Sequence, residues 1–180
     1  MFAVWFGAKT KGGNVGKIIS LDELILQRPQ WKADGRRLVF VAGCFDLLHP
    51  GHIRLLEQAR DHGELLVVGV LSDASVIAEA AAKTEAPGKV KRPITCASER
   101  CEILAALAMV DYAFEFSDCA VEDVLNRLGP DAVIEGSDPS GRDSAVRKAA
   151  IRAGLDVVRI PLEPGHSTSL LIERITQLHT

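Results

Sequence analysis

Apolar runs of strand length alternate along the chain with segments whose apolar residues recur at helical spacing. A short, continuous apolar run bounded by turn residues is typical of a parallel strand that is buried on both faces. Five segments fit this description: RRLVFVAG, ELLVVGVL, DYAFEF, DAVIEG and LDVVRIPL. The pattern therefore predicts five strands with helical segments between them.

Helix boundaries are indicated by capping and breaking residues. Ser20 and Glu23 have the spacing of a capping box, and Pro29 is expected to close the helix that begins there. A second capping box is expected at Ser98, and Gly154 is expected to end a later helix. The predicted helices cover residues 20–29, 50–62, 98–110, 121–129, 143–154 and 167–177.

This alternation predicts an α/β fold with a Rossmann-like, doubly wound, five-stranded parallel sheet. In such sheets, ligands bind outside the carboxyl ends of the strands, where the strand order reverses. We expect one domain over residues 17–180. Residues 1–16 are rich in Gly and Lys and show no sustained periodicity, so a flexible N-terminal arm is expected there.

Composition narrows the functional classes. The 180 residues are 47% hydrophobic and 25% charged, which is ordinary for a globular protein. The formal net charge of -3 argues against general nucleic-acid binding, so any anion site must be local. The apolar opening MFAVWF is too short for a signal peptide or a membrane span, and we therefore expect a cytoplasmic protein. The four cysteines lack the spacing of a zinc site or a disulfide framework.

Three of the predicted strands are followed by segments rich in small and polar residues: GCFDLLHPGH, EGSDPSGR and PLEPGHSTS. Helices are predicted to start at Pro50 and near residue 167, and a helix N-terminus offers unpaired N–H groups to an anion. The side chains that can add donors there are His49, His52, Ser167, Thr168 and Ser169. The pattern therefore indicates a polyphosphate substrate.

The first and last of these segments resemble the two signatures of a known superfamily. GCFDLLHPGH is similar to the H-x-G-H signature of the nucleotidyltransferases, and GHSTSLLIERI is similar to the second signature of their cytidylyltransferase-like branch. Over residues 17–178 the chain most resembles the adenylyltransferase domain of ADP-heptose synthases (D-glycero-beta-D-manno-heptose 1-phosphate adenylyltransferase), and next the glycerol-3-phosphate cytidylyltransferases. The other matching stretches are GKIISLDEL, LSDASV, KRPIT, ER and ALAMVD.

The resemblance implies transfer of a nucleotidyl group from a nucleoside triphosphate to a phosphorylated acceptor, with release of pyrophosphate. It implies that His49, His52 and Lys91 act in catalysis, the two histidines as donors to phosphate oxygens. The residues it assigns to the nucleotide are Gly43, Cys44, Phe45, Asp46, Gly51, Gly136, Asp138, Gly165, Ser167, Thr168 and Ser169. Mg²⁺ is expected to be held by the phosphates rather than by dedicated protein ligands, and a homodimer is expected.

The segment that follows Ser72, up to about Ala97, is predicted to be irregular and is rich in cations. It is either a solvated loop or a mobile cationic flap over the acceptor phosphate. Within it, Lys89 and Lys91 match paired lysines of the resembled cytidylyltransferases. The residues assigned to the acceptor are Lys89, Arg92, Arg100 and Arg142. Arg100 is expected to bind or brace the flap, and Arg142 is either an acceptor ligand or a surface residue.

Departures from the resembled groups bear on substrate choice. Ala42 stands where the heptose group usually has Asn, and Glu135 stands where it has Lys. Leu162 stands where the glycerol-phosphate group has Arg, which favours ATP over CTP. His166 occupies a position that is usually small or apolar and is either functional or incidental. ATP with a sugar 1-phosphate is the first choice. The alternatives are CTP with glycerol 3-phosphate or a similar phospho-polyol, and a nucleotide-binding regulatory module without turnover.

Overall fold

The computed structural model describes residues 16–82, 90–137, 144–162 and 165–178. Within these ranges, six parallel strands form one sheet whose two faces are covered by helices. The predicted doubly wound α/β fold is confirmed, but the sheet has six strands rather than five. The expected N-terminal arm, apart from Gly16, lies outside the described residues.

The elements have the following bounds. The strands are β1 (Lys17–Ile18), β2 (Leu38–Gly43), β3 (Leu65–Leu71), β4 (Tyr112–Phe116), β5 (Ala132–Ser137) and β6 (Val157–Pro161). The helices are α1 (Leu21–Ala33), α2 (Pro50–Arg60), α3 (Asp73–Ala82), α4 (Ala97–Ala105), α5 (Val121–Leu128), α6 (Ala145–Arg152) and α7 (Thr168–Gln177). Of these helices, all within the described ranges, none is long and apolar enough to cross a membrane.

The strand order places the site. The sheet runs β1-β4-β3-β2-β5-β6, and every neighbouring pair is parallel. The chain winds outward from β2 through β3 to β4 on one side and from β5 to β6 on the other, so the order reverses between β2 and β5. Ligands of doubly wound sheets bind outside the carboxyl ends of the strands at this point. Here those ends are Gly43 of β2 and Ser137 of β5.

Two cores sandwich the central strands. In β2, Val39 and Val41 pack into a core shared with α2 and α4, whereas Leu38 and Phe40 pack into a core shared with α1, α5 and α6. All four side chains are essentially inaccessible to solvent. Strands buried on both faces have no polar alternation, which is why these segments could be predicted from continuous apolar runs.

The sixth strand, β1, has no such run. Lys17 and Ile18 are both exposed, and they pair with only Tyr112 and Ala113 of the edge-side strand β4. A two-residue edge pairing leaves no hydrophobic period in the sequence, because it buries little apolar surface.

Helix α1 continues through Pro29, so the expected end at that residue is wrong. The capping box is confirmed: the Ser20 hydroxyl accepts a hydrogen bond from the Glu23 N–H at 3.2 Å, and the Glu23 carboxylate accepts one from the Ser20 N–H at 3.0 Å. Beyond the proline, the buried Trp31 ring packs 5.2 Å from that of Tyr112. This tertiary packing supports the last turn, where local propensity alone predicts a stop.

The segment predicted to be irregular contains a helix, α3, which follows Ser72. The Ser72 hydroxyl accepts a hydrogen bond from the Ser75 N–H at 3.3 Å, as an N-cap side chain does. The capping box expected at Ser98 is also wrong. Cys96 is the N-cap of α4, and its N–H donates to the Glu99 carboxylate at 3.1 Å.

Candidate active site

The loop between β2 and α2 leaves the sheet through a strained residue. Phe45 has a φ of 50°, in the left-handed region, and its side chain is buried. A phenylalanine keeps this conformation only where the surrounding structure enforces it. The centroid of its ring lies 5.2 Å from that of His52. A Cβ added at Gly43 would lie 3.0 Å from Cε2 of the Phe45 ring. Packing therefore fixes the shape of this loop.

Asp46 ties the same loop to the segment that precedes α4. Its fully buried carboxylate accepts hydrogen bonds from the N–H groups of Ile94 at 2.7 Å and Thr95 at 3.1 Å, and from Nε of Arg92 at 3.0 Å. The Thr95 hydroxyl donates to the Asp46 carbonyl at 2.6 Å. Burial alone would raise the pKa of this carboxyl, but the hydrogen bonds outweigh burial and hold its pKa below the usual range. Asp46 is therefore an ionised link between two loops.

Arg100 completes the link from inside the protein. Its side chain is fully buried and donates to the carbonyls of Thr95 at 3.0 Å and Cys44 at 2.5 Å, and to the Asp73 carboxylate at 2.6 Å. This placement favours the bracing role expected for Arg100 over direct contact with an acceptor. Burial also raises the pKa of the Cys44 thiol, which keeps it protonated and suits it to a scaffolding role.

The two signature histidines lie face to face at the start of α2. His49 is the N-cap, and its Nδ1 accepts a hydrogen bond from the His52 N–H at 3.3 Å. The two imidazole rings are 3.7 Å apart between centroids, with 19° between their planes. Because Nδ1 of neutral His49 is an acceptor, its proton sits on Nε2, so that atom is a hydrogen-bond donor. The N-cap therefore holds one imidazole in the tautomer that donates.

His52 is held uncharged without a ligand. Burial, followed by His49 and Arg92, lowers the pKa of His52 to about 4, although the backbone of Leu47 acts in the opposite direction. Its Nδ1 is buried and has no hydrogen-bond partner in the part of the chain that the structure describes. Burial, and then His166, also lowers the pKa of His49. A buried imidazole nitrogen without a partner is costly, and an anion at this point would accept a hydrogen bond from it once the ring is protonated.

The start of α7 is tied to this loop. Thr168, the first residue of α7, is buried, and its hydroxyl donates to the Leu47 carbonyl at 3.5 Å. Ser167 is the N-cap and accepts a hydrogen bond from the Leu170 N–H at 3.1 Å, while Ser169 is exposed. The structure thus brings together the N-termini of α2 and α7, which carry the two signatures from distant parts of the sequence.

The carboxyl end of β5 forms the neighbouring wall. A Cβ added at Gly136 would lie 2.8 Å from Cδ2 of Leu162, so only a glycine allows Leu162 to pack this closely. On the opposite face of the sheet, the Glu135 carboxylate lies 3.9 Å from Nε of Arg147 and 3.7 Å from Nε of Arg159. Glu135 therefore forms ion pairs within the fold.

Only some of the cations expected to bind the acceptor lie within the described residues. Lys91 is exposed, and Arg92 is partly exposed while it binds Asp46. Lys89, Asp138 and Arg142 lie outside the described residues. The nucleotide residues on the three strand-end segments are otherwise described, and Gly51 is buried between His49 and His166.

Comparison with known proteins agrees with this geometry. A family model described as cytidylyltransferase-like matches residues 40–174, a range that includes both histidines and the start of α7. The chain belongs to the cytidylyltransferase-like family. The expectation of a nucleotidyltransferase is therefore confirmed at the level of the family.

Relatives of this cytidylyltransferase-like chain include larger proteins. It is 39% identical over 170 residues to the bifunctional protein HldE of Hyphomonas neptunium, covering 93% of this chain and 33% of that protein. It is 36% identical over 166 residues to the bifunctional protein HldE of Pseudomonas aeruginosa, covering 92% and 33%. The chain thus spans about a third of the length of the curated relatives it matches.

Solved structures show the same fold. The lipopolysaccharide core biosynthesis protein of Thermoplasma volcanium matches with a TM-score of 0.55 and 25% identity, over 72% of this chain and 98% of that one. The pantoate-beta-alanine ligase of Francisella tularensis matches with a TM-score of 0.57 and 14% identity, over 86% of this chain and 69% of that one. The second similarity concerns the fold alone.

Three contributors to this cytidylyltransferase-like site were missed by sequence reasoning: Thr95, Asp73 and the Leu47 carbonyl. Thr95 and Asp73 lie within the matching stretches KRPIT and LSDASV, so a weak signal existed for both. Their partners lie 49 and 27 residues away in the sequence, and only the folded chain reveals such pairings.

Proposed function

We propose that the protein transfers AMP from ATP to a sugar 1-phosphate that resembles heptose 1-phosphate, with release of pyrophosphate. The observation that carries the proposal is the stacked histidine pair, with its buried unpartnered nitrogen, where the N-termini of α2 and α7 meet. Imidazole donors and two helix N-termini favour an anion with several phosphate groups. The chain spans about a third of the length of its curated relatives, so the proposal concerns this one transfer and no other activity of those longer proteins.

The reaction requires alignment and charge stabilisation. A phosphate oxygen of the acceptor attacks the α-phosphorus, a new P–O bond forms, and the bond to the β-phosphate oxygen breaks as pyrophosphate leaves. Nε2 of His49 donates to a phosphate oxygen, and the His52 imidazole donates to a second one. Negative charge from the triphosphate raises the pKa of each imidazole, so both can become charged as the ligand binds. No residue of the chain forms a covalent intermediate in this scheme.

Leu162 supports ATP as the nucleotide. The Leu162 side chain is partly buried against the core shared with α2 and α4, and it packs on Gly136 at the end of β5. A leucine provides an apolar wall and no hydrogen-bond donor for the carbonyl and ring nitrogen of cytosine. A site discriminates strongly between polar groups only where it forms hydrogen bonds to them. We therefore propose a moderate preference for ATP over CTP.

The acceptor is proposed to meet the cations that follow α3. Lys91 is exposed, and Lys89, Arg92 and Arg142 are proposed as further contacts. The similarity to a lipopolysaccharide core biosynthesis protein and to bifunctional HldE proteins supports a sugar phosphate. Mg²⁺ is proposed to bind through the phosphates of the nucleotide, where it neutralises charge.

A second candidate is a CTP-dependent transfer to glycerol 3-phosphate or a similar phospho-polyol. The cytidylyltransferase-like family match is the observation that favours it. A regulatory module that binds nucleotide without turnover is the candidate outside the enzymes.

The test is pyrophosphate release from Mg-ATP and Mg-CTP, each with sugar 1-phosphates including heptose 1-phosphate and with polyol phosphates including glycerol 3-phosphate. We expect acceptor-dependent release from ATP with a sugar 1-phosphate, with the nucleotide-sugar identified by mass spectrometry. Faster release from CTP with glycerol 3-phosphate would select the second candidate. Nucleotide binding without acceptor-dependent release would select the regulatory module.

A further inference from the structure

We propose that His166 is a third phosphate ligand of this site and that it binds the part of the triphosphate that leaves as pyrophosphate. The inference rests on the proposed function and adds a residue to it. His166 directly precedes Ser167, the N-cap of α7, so it stands at the junction of the two helix starts.

The ring planes of His52 and His166 are each nearly parallel to that of His49. The ring of His166 lies 6.5 Å from that of His49, with 18° between the planes. His49 in turn lies 3.7 Å from His52, on which it stacks. His49 therefore lies next to both other imidazoles; all three side chains are partly exposed, although Nδ1 of His52 is itself buried.

Two glycines bring His166 to this position. A Cβ added at Gly51 would lie 3.1 Å from Nδ1 of His49 and 3.2 Å from Cβ of His166, closer than ordinary van der Waals contact, so both histidines would have to shift slightly. Gly165, just before His166, has a φ of 84°, which disfavours any residue with a side chain. The close approach of the α7 loop to the start of α2 thus depends on small residues on both sides.

The electrostatics of the neighbouring imidazoles favour an anionic ligand. After burial, the neighbouring His166 contributes to the lowered pKa of His49, and among the described residues no carboxylate hydrogen bond to either ring is found. Imidazoles that oppose each other's protonation are stabilised together when an anion lies between them. His166 lies just before the N-cap of α7, where unpaired N–H groups also favour an anion. An anion held at this helix start would lie beside His166, and we assign this position to the terminal phosphates, which leave as pyrophosphate.

The test compares three ligands by calorimetry: Mg-ATP, Mg-pyrophosphate and AMP. The variants are His166→Ala, His166→Gln, which keeps an N–H donor, and the control His62→Ala, an exposed residue just beyond the end of α2. We expect His166→Ala to weaken ATP and pyrophosphate about tenfold, the effect of one charge-assisted hydrogen bond, and to leave AMP unchanged. His166→Gln should recover part of the loss, and His62→Ala should behave as the unaltered protein.

Two outcomes would overturn the assignment. Equal weakening of all three ligands would make His166 a residue that only shapes the loop, and unchanged binding of all three would remove it from the site. Both outcomes leave the proposed function standing, provided that the unaltered protein releases pyrophosphate. If the unaltered protein binds neither ATP nor pyrophosphate, the proposed function fails, and this inference fails with it.

Discussion

On the nucleotide side of the site, buried polar side chains hold the backbone in place, whereas on the acceptor side the cations are exposed. Asp46 and Arg100 are enclosed and bind backbone groups of loops distant in sequence. Lys91 is exposed, and Arg92 is shared between Asp46 and solvent. This difference supports the proposal that the fold sets the position of the triphosphate, while exposed side chains contact the acceptor.

The largest expected effect comes from breaking the rigid side. Asp46→Ala would leave Arg92 and two backbone N–H groups without their buried carboxylate, and we expect unfolding to become easier by about 3–5 kcal/mol. Urea denaturation measures this change. The control is Asp123→Ala, which removes an exposed ion pair with Arg127 and should have an effect below about 0.5 kcal/mol. Equal effects of the two variants would show that the Asp46 link adds no stability.

The next largest effect separates catalysis from folding on the same side. His52→Ala should leave the circular dichroism spectrum unchanged and lower turnover by about 10² to 10³, the usual effect of removing one donor to a developing negative charge. His62→Ala is the matched control, since it replaces an exposed histidine beyond the other end of α2. A variant that unfolds would make His52 a structural residue, and one that folds and retains full turnover would remove it from catalysis.

The strands and the histidines of the nucleotide side could be predicted from the sequence. The hydrogen bonds that fix its loops could not. Strands β2 and β3 and the histidine pair follow from apolar runs and a local signature. The role of Asp46 depends on partners near residue 94, and the burial of Arg100 depends on a carbonyl 56 residues away. Local patterns carry no information on such pairings. Homodimer formation and cytoplasmic location stay predictions.

Substitution of an exposed cation should change the KM for the acceptor and not the KM for ATP. Lys91→Ala should raise the KM for the acceptor about tenfold, because it removes one charge-assisted contact to the acceptor phosphate, with little change in the KM for ATP. Initial-rate kinetics with each substrate varied in turn would measure both constants. Lys32→Ala, at the exposed end of α1, is the control. Parallel increases in both constants would place Lys91 on the nucleotide side instead.

The smallest expected effect sharpens nucleotide choice. Leu162→Arg should narrow the preference for ATP over CTP by a few-fold, because it adds donors to an apolar wall. Leu162→Met keeps the wall apolar and should keep the preference, which controls for disturbed packing against Gly136. Calorimetric titration of both nucleotides with Mg²⁺ gives the ratio. Tighter binding of CTP by the unaltered protein would reverse the assignment of the nucleotide.

The central claim is that the stacked histidines bind the triphosphate, and NMR titration of the His52 ring tests it most directly. In the free protein, the pKa of about 4 keeps His52 neutral near pH 7, so folding stability should fall as pH drops from about 6.5 towards 4, where only the unfolded chain binds this proton. With Mg²⁺ and a non-hydrolysable ATP analogue, we expect the pKa of His52 to rise, because the phosphates stabilise its charged form. An unchanged His52 pKa at saturating analogue would contradict it.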